Sequence, residues 1–251
     1  MKKWFNTNVI NLKNNYVSSS ILGIWFFLWM FLICYFTVKN NFFISIDNIT
    51  RNTILSRFLF DFFALSVVAL IIIVINRKNL EYFRLCIQSK YEILILAGVM
   101  ILLFFLHNDY SIEGFYHFYF YLFFVAFTEE FLFRGYLYNR MKEDSRKYAI
   151  IISGIYFGIG HAVLPSILTN ADLLQLLWAM ASTIGGGILA GWYFIILQEK
   201  SKTIWIPVLV HAILDYTVGI IGILVAIITL IYFLEKTKVK PNDFMYDRLM
   251  D

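Results

Sequence analysis

The chain has 251 residues, of which 60% are apolar, 19% aromatic and only 15% charged, with a formal charge of +4 at pH 7. That balance lies far outside the range of ordinary soluble domains and excludes a soluble enzyme or a nucleic-acid-binding module built on a basic surface. It is the composition of an all-α, polytopic membrane protein.

Crossing roughly 30 Å of hydrocarbon takes about 20 helical residues. Apolar stretches of that kind predict about eight transmembrane helices, near 17–38, 54–76, 92–107, 115–138, 148–164, 173–197, 203–217 and 218–235. The third, fifth and seventh are short for a full crossing, and the last two are parted only by the Thr217 to Gly219 stretch. The first is expected to stay in the protein, because Gly23 to Thr37 runs on through Trp, Phe and Leu with no small-residue cleavage site behind it. Cys34 inside it and Cys86 in a later loop match no metal-ligand spacing and imply no disulfide. The loop at 77–91, with Leu80, Phe83, Leu85 and Ile87 among charges, reads as an amphipathic piece lying on the bilayer.

Lys and Arg accumulate in short cytoplasmic loops, so their placement tests this layout. With the amino terminus inside, five inner segments collect most of the basic residues. These are Lys2, Lys3 and Lys13; Arg77, Lys78, Arg84 and Lys90; Arg140, Lys142, Arg146 and Lys147; Lys200 and Lys202; and Lys236, Lys238, Lys240 and Arg248. Only Lys39, Arg51 and Arg57 fall on or near the outer side, and Arg134 lies within a helix. The expectation is a multi-pass protein of the cell membrane with both termini cytoplasmic. Its positive charge then reflects topology, and no nucleic-acid partner follows from it.

Six polar residues stand in otherwise apolar helices: Glu129, Glu130 and Arg134 in the fourth, His161 in the fifth, His211 and Asp215 in the seventh. Such groups cost several kcal/mol in lipid unless they are paired or face a protein-lined cavity. Three segments carrying them point to one polar pocket inside the bundle. Glu130 and Arg134 are four apart and can pair on one helical face. Glu129 lies about 140° round an α-helix from Arg134, is less well neutralised, and is the candidate general base. Phe157 and His161 sit one turn apart in a segment whose Gly154, Gly158 and Gly160 let a neighbouring helix come close. His211 and Asp215, also four apart, share a face, where the carboxylate could orient the imidazole or both could hold a metal or a reacting oxygen. Counted from the nearest cytoplasmic basic residue at about 1.5 Å per residue, Glu129, His161, His211 and Asp215 all fall at roughly 14 to 21 Å depth.

At these residues the chain resembles the CAAX-protease and bacteriocin-processing (CPBP, or Abi) family of intramembrane proteases. The family motifs Glu-Glu-x-x-x-Arg, Phe-x-x-x-His and His-x-x-x-Asn or Asp occur in order as Glu129-Glu130-x-x-x-Arg134, Phe157-x-x-x-His161 and His211-x-x-x-Asp215. The resemblance implies that Glu129 and His161 activate the attacking water, that His211 and Asp215 support the oxyanion, and that Glu130 and Arg134 hold the first motif in shape. It divides the chain into transmembrane helices and a cytoplasmic loop at 1–110, a protease core at 111–235 and a cytoplasmic tail at 236–251. The implied substrate is a hydrophobic peptide or membrane-anchored protein: a lipidated carboxy-terminal peptide, a pheromone precursor or a bacteriocin-type peptide. Richness in Ile, Lys, Asn and Phe suits an AT-rich bacterial genome and favours the last two.

Two chemical questions stay open at this level. An Asn at 215 would donate to an oxyanion, whereas an ionised Asp only accepts, so Asp215 is protonated, orients His211 or binds a cation. Two imidazoles with carboxylates could make a zinc site, yet water activated directly by Glu129 needs no metal, and the His-Glu-x-x-His signature is missing. The rival readings are a proton-coupled transporter using the same residues as a relay and a non-catalytic membrane scaffold or immunity protein. Arg57 and Asp61 are expected to pair near the outer end of the second helix, and the run Ser182 to Gly191, with Gly185, Gly186, Gly187 and Gly191, to pack tightly or to leave room for an extended substrate backbone. The aromatic run from Phe115 to Phe127 is expected to face lipid.

Overall fold

The computed structural model describes residues 15–217 and 219–236. Its regular structure is helical, with no strand among the described residues. In chain order the helices are α1 (Asn15–Lys39), α2 (Ile54–Ile75), α3 (Lys90–His107), α4 (112–141), α5 (Arg146–Leu168), α6 (Leu173–Ser201), α7 (Trp205–Thr217) and α8 (Ile220–Lys236). Helix therefore occupies each predicted stretch, and α1, α2, α3, α5 and α6 are long and apolar enough to cross a membrane. The two termini, with Lys2, Lys3, Lys13, Lys238, Lys240, Arg248 and nearly all of the expected tail, lie outside the described residues.

Helix α7 shows why apolar length and crossing are different things. Its 13 residues span only about 20 Å. It is apolar all round because α3, α4, α6 and α8 enclose it, and Ile206, Val208, Val210, Ala212 and Ile213 are wholly buried in protein. His211 and Asp215 thus enter the centre of the bundle on a helix shielded from lipid.

Helix α4 departs from regular α geometry. After Ile112–Tyr119 it winds as a π-helix over Phe120–Phe127 and again over Glu130–Tyr138, and α2 holds a π turn at Phe62–Ser66. The two meet where Ser66 Oγ and Thr128 Oγ share a hydrogen bond of 3.1 Å. Thr128 can also donate to Phe123 O, five residues back, at 3.3 Å, which suits the i to i+5 winding. Wider turns change which side chains share a face, and they do so immediately around Glu129.

Helices α5 and α6 pack backbone to backbone. A Cβ on Gly154 would lie 2.6 Å from Ile188 Cα, and one on Gly187 would lie 2.5 Å from Gly154 O. Gly158 and Gly191 join the same contact, whereas Gly160, Gly185 and Gly186 do not, which narrows the expected glycine face to Gly154, Gly158, Gly187 and Gly191. Gly187→Ala should destabilise the protein by about 1–3 kcal/mol through overpacking. Gly186→Ala, with open space, should be neutral or slightly stabilising. Thermal unfolding in detergent compares them; equal melting would refute the close-packed account.

Three further expectations change or sharpen. Arg57 and Asp61 do pair, at 2.7 Å, but deep in the protein, where Tyr116 also donates to Asp61 and Arg57 donates to Ile44 O. Phe115, Tyr119 and Phe123 face outward as predicted, while Tyr116 and Phe124 are buried against Ile49. The loop between α2 and α3 is a series of turns rather than an amphipathic surface piece. Phe83 is buried against Phe131 and Tyr136. The same loop braces the α6–α7 junction: Ile204 N–H donates to Arg84 O at 2.9 Å, Thr203 Oγ to Cys86 O at 2.6 Å, and Ser89 Oγ to Ser201 O at 3.0 Å. It fixes the start of the helix that carries His211.

Candidate active site

The pocket is assembled by α4, α5, α6 and α7. Glu130 and Arg134 pair at 3.2 Å and are almost completely buried, as their spacing predicts. The same Glu130 Oε1 lies 2.9 Å from His211 Nδ1, so one carboxylate oxygen joins α4 to α7. On the other edge of the ring, His211 Nε2 is 3.3 Å from Asp215 Oδ2 and 3.8 Å from Glu129 Oε2. Each ring nitrogen therefore faces a carboxylate, an arrangement in which both can donate.

Exposure is graded across this cluster. Glu130 is sealed, Glu129 is 17% exposed and Asp215 is 35% exposed, so the pocket opens on the side of Glu129 and Asp215. Aromatic rings wall the closed side. The Arg134 guanidinium lies 4.0 Å above Phe157 and 5.2 Å from Phe194, and Phe194 stacks on His211 with centroids 4.9 Å apart. These contacts place a cation and an imidazole against ring faces, where attraction to the π system is favourable.

His161 ends the first stretch of α5, exposed at the pocket side of Phe157, with ring centroids 4.5 Å apart. Its Nδ1 is 2.8 Å from Phe157 O. A carbonyl only accepts, so Nδ1 carries the proton and Nε2 keeps a free lone pair. His161, His211, Asp215 and Arg134 all act electrostatically on Glu129.

Several of these relations were beyond the sequence reading. The estimate of 140° between Glu129 and Arg134 assumes 3.6 residues per turn; in the π winding Arg134 interacts with both glutamates. The Glu130 to His211 bond and the stacking role of Phe194 were missed. Phe194 does carry a signal, since it shares a helical face with Gly187, Gly191 and Gln198 at spacings of four, three and four.

As placed, Glu129, His161, His211 and Asp215 do not form a group of three whose ligand atoms all lie within 4.8 Å of one another. Both nitrogens of His211 are already turned to carboxylates. Among the described residues, the group of three or more acidic, His or Cys side chains whose ligand atoms lie within 4.8 Å of one another is Asp47, Glu113 and His117, outside this pocket.

Residues 111–217 match the family model described as type II CAAX prenyl endopeptidase Rce1-like. That stretch contains Glu129, Glu130, Arg134, His161, His211 and Asp215. Over that segment, somewhat less than half of its length, the chain is similar to the CAAX-protease family. No curated protein and no solved structure matches the chain. Five helices long and apolar enough to cross a membrane accompany this similarity, and the pocket described above lies wholly within the family-matched segment.

Proposed function

We propose that this protein is a CAAX-type endopeptidase that cleaves a peptide bond in a hydrophobic or membrane-anchored peptide with water activated jointly by Glu129 and His161. The observation that carries the reading is the state of Glu129. Its Oε2 is buried without a hydrogen-bond partner, 3.8 Å from His211, beside an imidazole whose Nε2 lone pair is free. A carboxylate with spare acceptor capacity at the open side of a buried pocket is what a general base requires.

In the proposed reaction Glu129 takes a proton from water as its oxygen attacks the scissile carbonyl, and His161 Nε2 accepts a second hydrogen bond from the same water. Protonation of Glu129 weakens its hold on the His211 Nε2–H, which then turns to the developing oxyanion. Asp215 serves here to orient His211 rather than to bind the oxyanion, consistent with its 3.3 Å approach to Nε2. The protonated Glu129 then returns its proton to the leaving amide nitrogen, which restores the base. Glu130, held by Arg134, fixes the far edge of the imidazole throughout.

A pocket inside a bundle of apolar helices suits a hydrophobic substrate: a prenylated or otherwise lipidated carboxy-terminal peptide, in keeping with the prenyl endopeptidases of the family description, or a pheromone- or bacteriocin-type precursor. Protein reconstituted in vesicles and offered each of these peptides should release a fragment with a new terminus, read by mass spectrometry. Absence of product from all of them would return the carrier and scaffold readings. The chemistry proposed uses no metal. Chelation should therefore leave turnover unchanged, and elemental analysis of active protein should find no stoichiometric transition metal; loss of activity restored by added zinc would overturn this part.

A further inference from the structure

Buried side-chain polar atoms without a hydrogen-bond partner are concentrated, among the described residues, on Glu129, Glu130, Arg134 and Gln198, with Ser19 and Asp61 as outliers. The first three belong to the pocket already described. Gln198 does not, yet its side chain is 1% exposed and neither its oxygen nor its nitrogen meets a protein group. Leaving such an amide unpaired is unfavourable, and buried polar groups in folded proteins are normally satisfied by protein or by ordered water.

Its position follows from the register between α4 and α6. Phe194 lies beside the Arg134 guanidinium, and Glu199 accepts a hydrogen bond from Tyr138. Residues 194 to 199 therefore run alongside 134 to 138. Gln198 is one turn beyond Phe194 on the same face, so its amide sits at the level between Arg134 and Tyr138. The guanidinium carbon lies over the Phe157 and Phe194 rings, which offer no hydrogen-bond acceptor stronger than a π face. None of Nε, Nη1 and Nη2 makes an aligned hydrogen bond: the 3.2 Å approach of Nη1 to Glu130 is an ion pair by distance, not a well-directed bond. Unpaired polar atoms thus occur on Gln198, Arg134, Glu130 and Glu129, and in sequence Gln198 lies between Phe194 and the end of α6.

We propose that Gln198 and Arg134 hold a buried water between them, and that this hydration site supplies the hydrolytic water to Glu129. Gln198 is then a positioning residue, acting through water and not on the substrate. A site with several polar partners is what a buried water needs, typically about three hydrogen bonds. Each turnover consumes one water, and Phe157 and Phe194 wall the side of the pocket away from Glu129 and Asp215, so a polar route past Arg134 supplies the base while substrate occupies the open side. The inference rests on the assignment of Glu129 as base.

The test is Gln198→Leu in the full-length protein, with Gln198→Asn as the conservative partner. Leucine should lower kcat at least tenfold with KM within twofold of wild type, and should leave the melting temperature equal or higher, because it removes an unpaired buried amide. Asparagine, which keeps the amide, should retain kcat within threefold. A high-resolution structure of the wild type should show water within hydrogen-bond distance of both the Gln198 amide and the Arg134 guanidinium, and the leucine variant should lack it. Wild-type kcat in the leucine variant, a lowered melting temperature accompanying its loss of rate, or no water between the two groups would each overturn the proposal. Because the water is read directly, normal turnover by Glu129→Gln would remove the base assignment while the occupancy of the hydration site was still decided on its own.

Discussion

Glu129→Gln should lower kcat for peptide cleavage by a factor on the order of 10²–10⁴, with the thermal transition unmoved. The amide has nearly the shape of the carboxyl but cannot take a proton from water. Little structural strength is at stake, because Oε2 makes no hydrogen bond and its approach to His211 is 3.8 Å. Glu129→Ala should behave alike in rate. Reconstituted vesicles with a precursor peptide measure the rate, and calorimetry or a melting assay on the same preparation measures the fold. Wild-type product formation by the glutamine variant would end the proposal that this carboxylate is the base; a matched fall in stability would instead make it structural.

Arg134→Met should be the most destabilising single change in the pocket, at about 3–5 kcal/mol, because it leaves a buried carboxylate uncompensated. Glu130 is wholly buried and bonded to His211, and Glu129 also depends on the same cation. The double variant Arg134→Met with Glu130→Gln removes both charges. It should recover most of the melting temperature while remaining slow, since the amide holds His211 less firmly than the carboxylate does. Arg134→Lys should fall between, keeping the charge but losing the broad contact of the guanidinium with the Phe157 and Phe194 rings. If the methionine variant melts with the wild type, the ion pair is not what holds α4 in place, and the role given to Arg134 fails.

The sequence is informative where side-chain type alone carries the cost. Charges in lipid-length apolar stretches had to converge, and four of the five acidic and imidazole groups meet directly around His211. The glycine spacings likewise announce a close helix pair, which α5 and α6 form. It is less informative where burial by protein and burial by lipid look the same. Helix α7 and the residues Tyr116 and Phe124 read as lipid-facing by composition, yet protein surrounds them. The loop between α2 and α3 reads as a surface piece because its pairing with Thr203 and Ile204 is made by backbone atoms, whose partners no residue pattern reveals.

What the amino-acid order determined by itself is the all-helical membrane class, the three spaced motifs and the six polar residues, because the penalty for a bare charge in hydrocarbon acts wherever the chain folds. Only the tertiary structure decided that α4 winds as a π-helix around Glu129, that Glu130 rather than Asp215 grips His211 Nδ1, and that Phe194 lies against Arg134. Those relations depend on helix register and on contacts between residues far apart in the chain, which local periodicity does not encode.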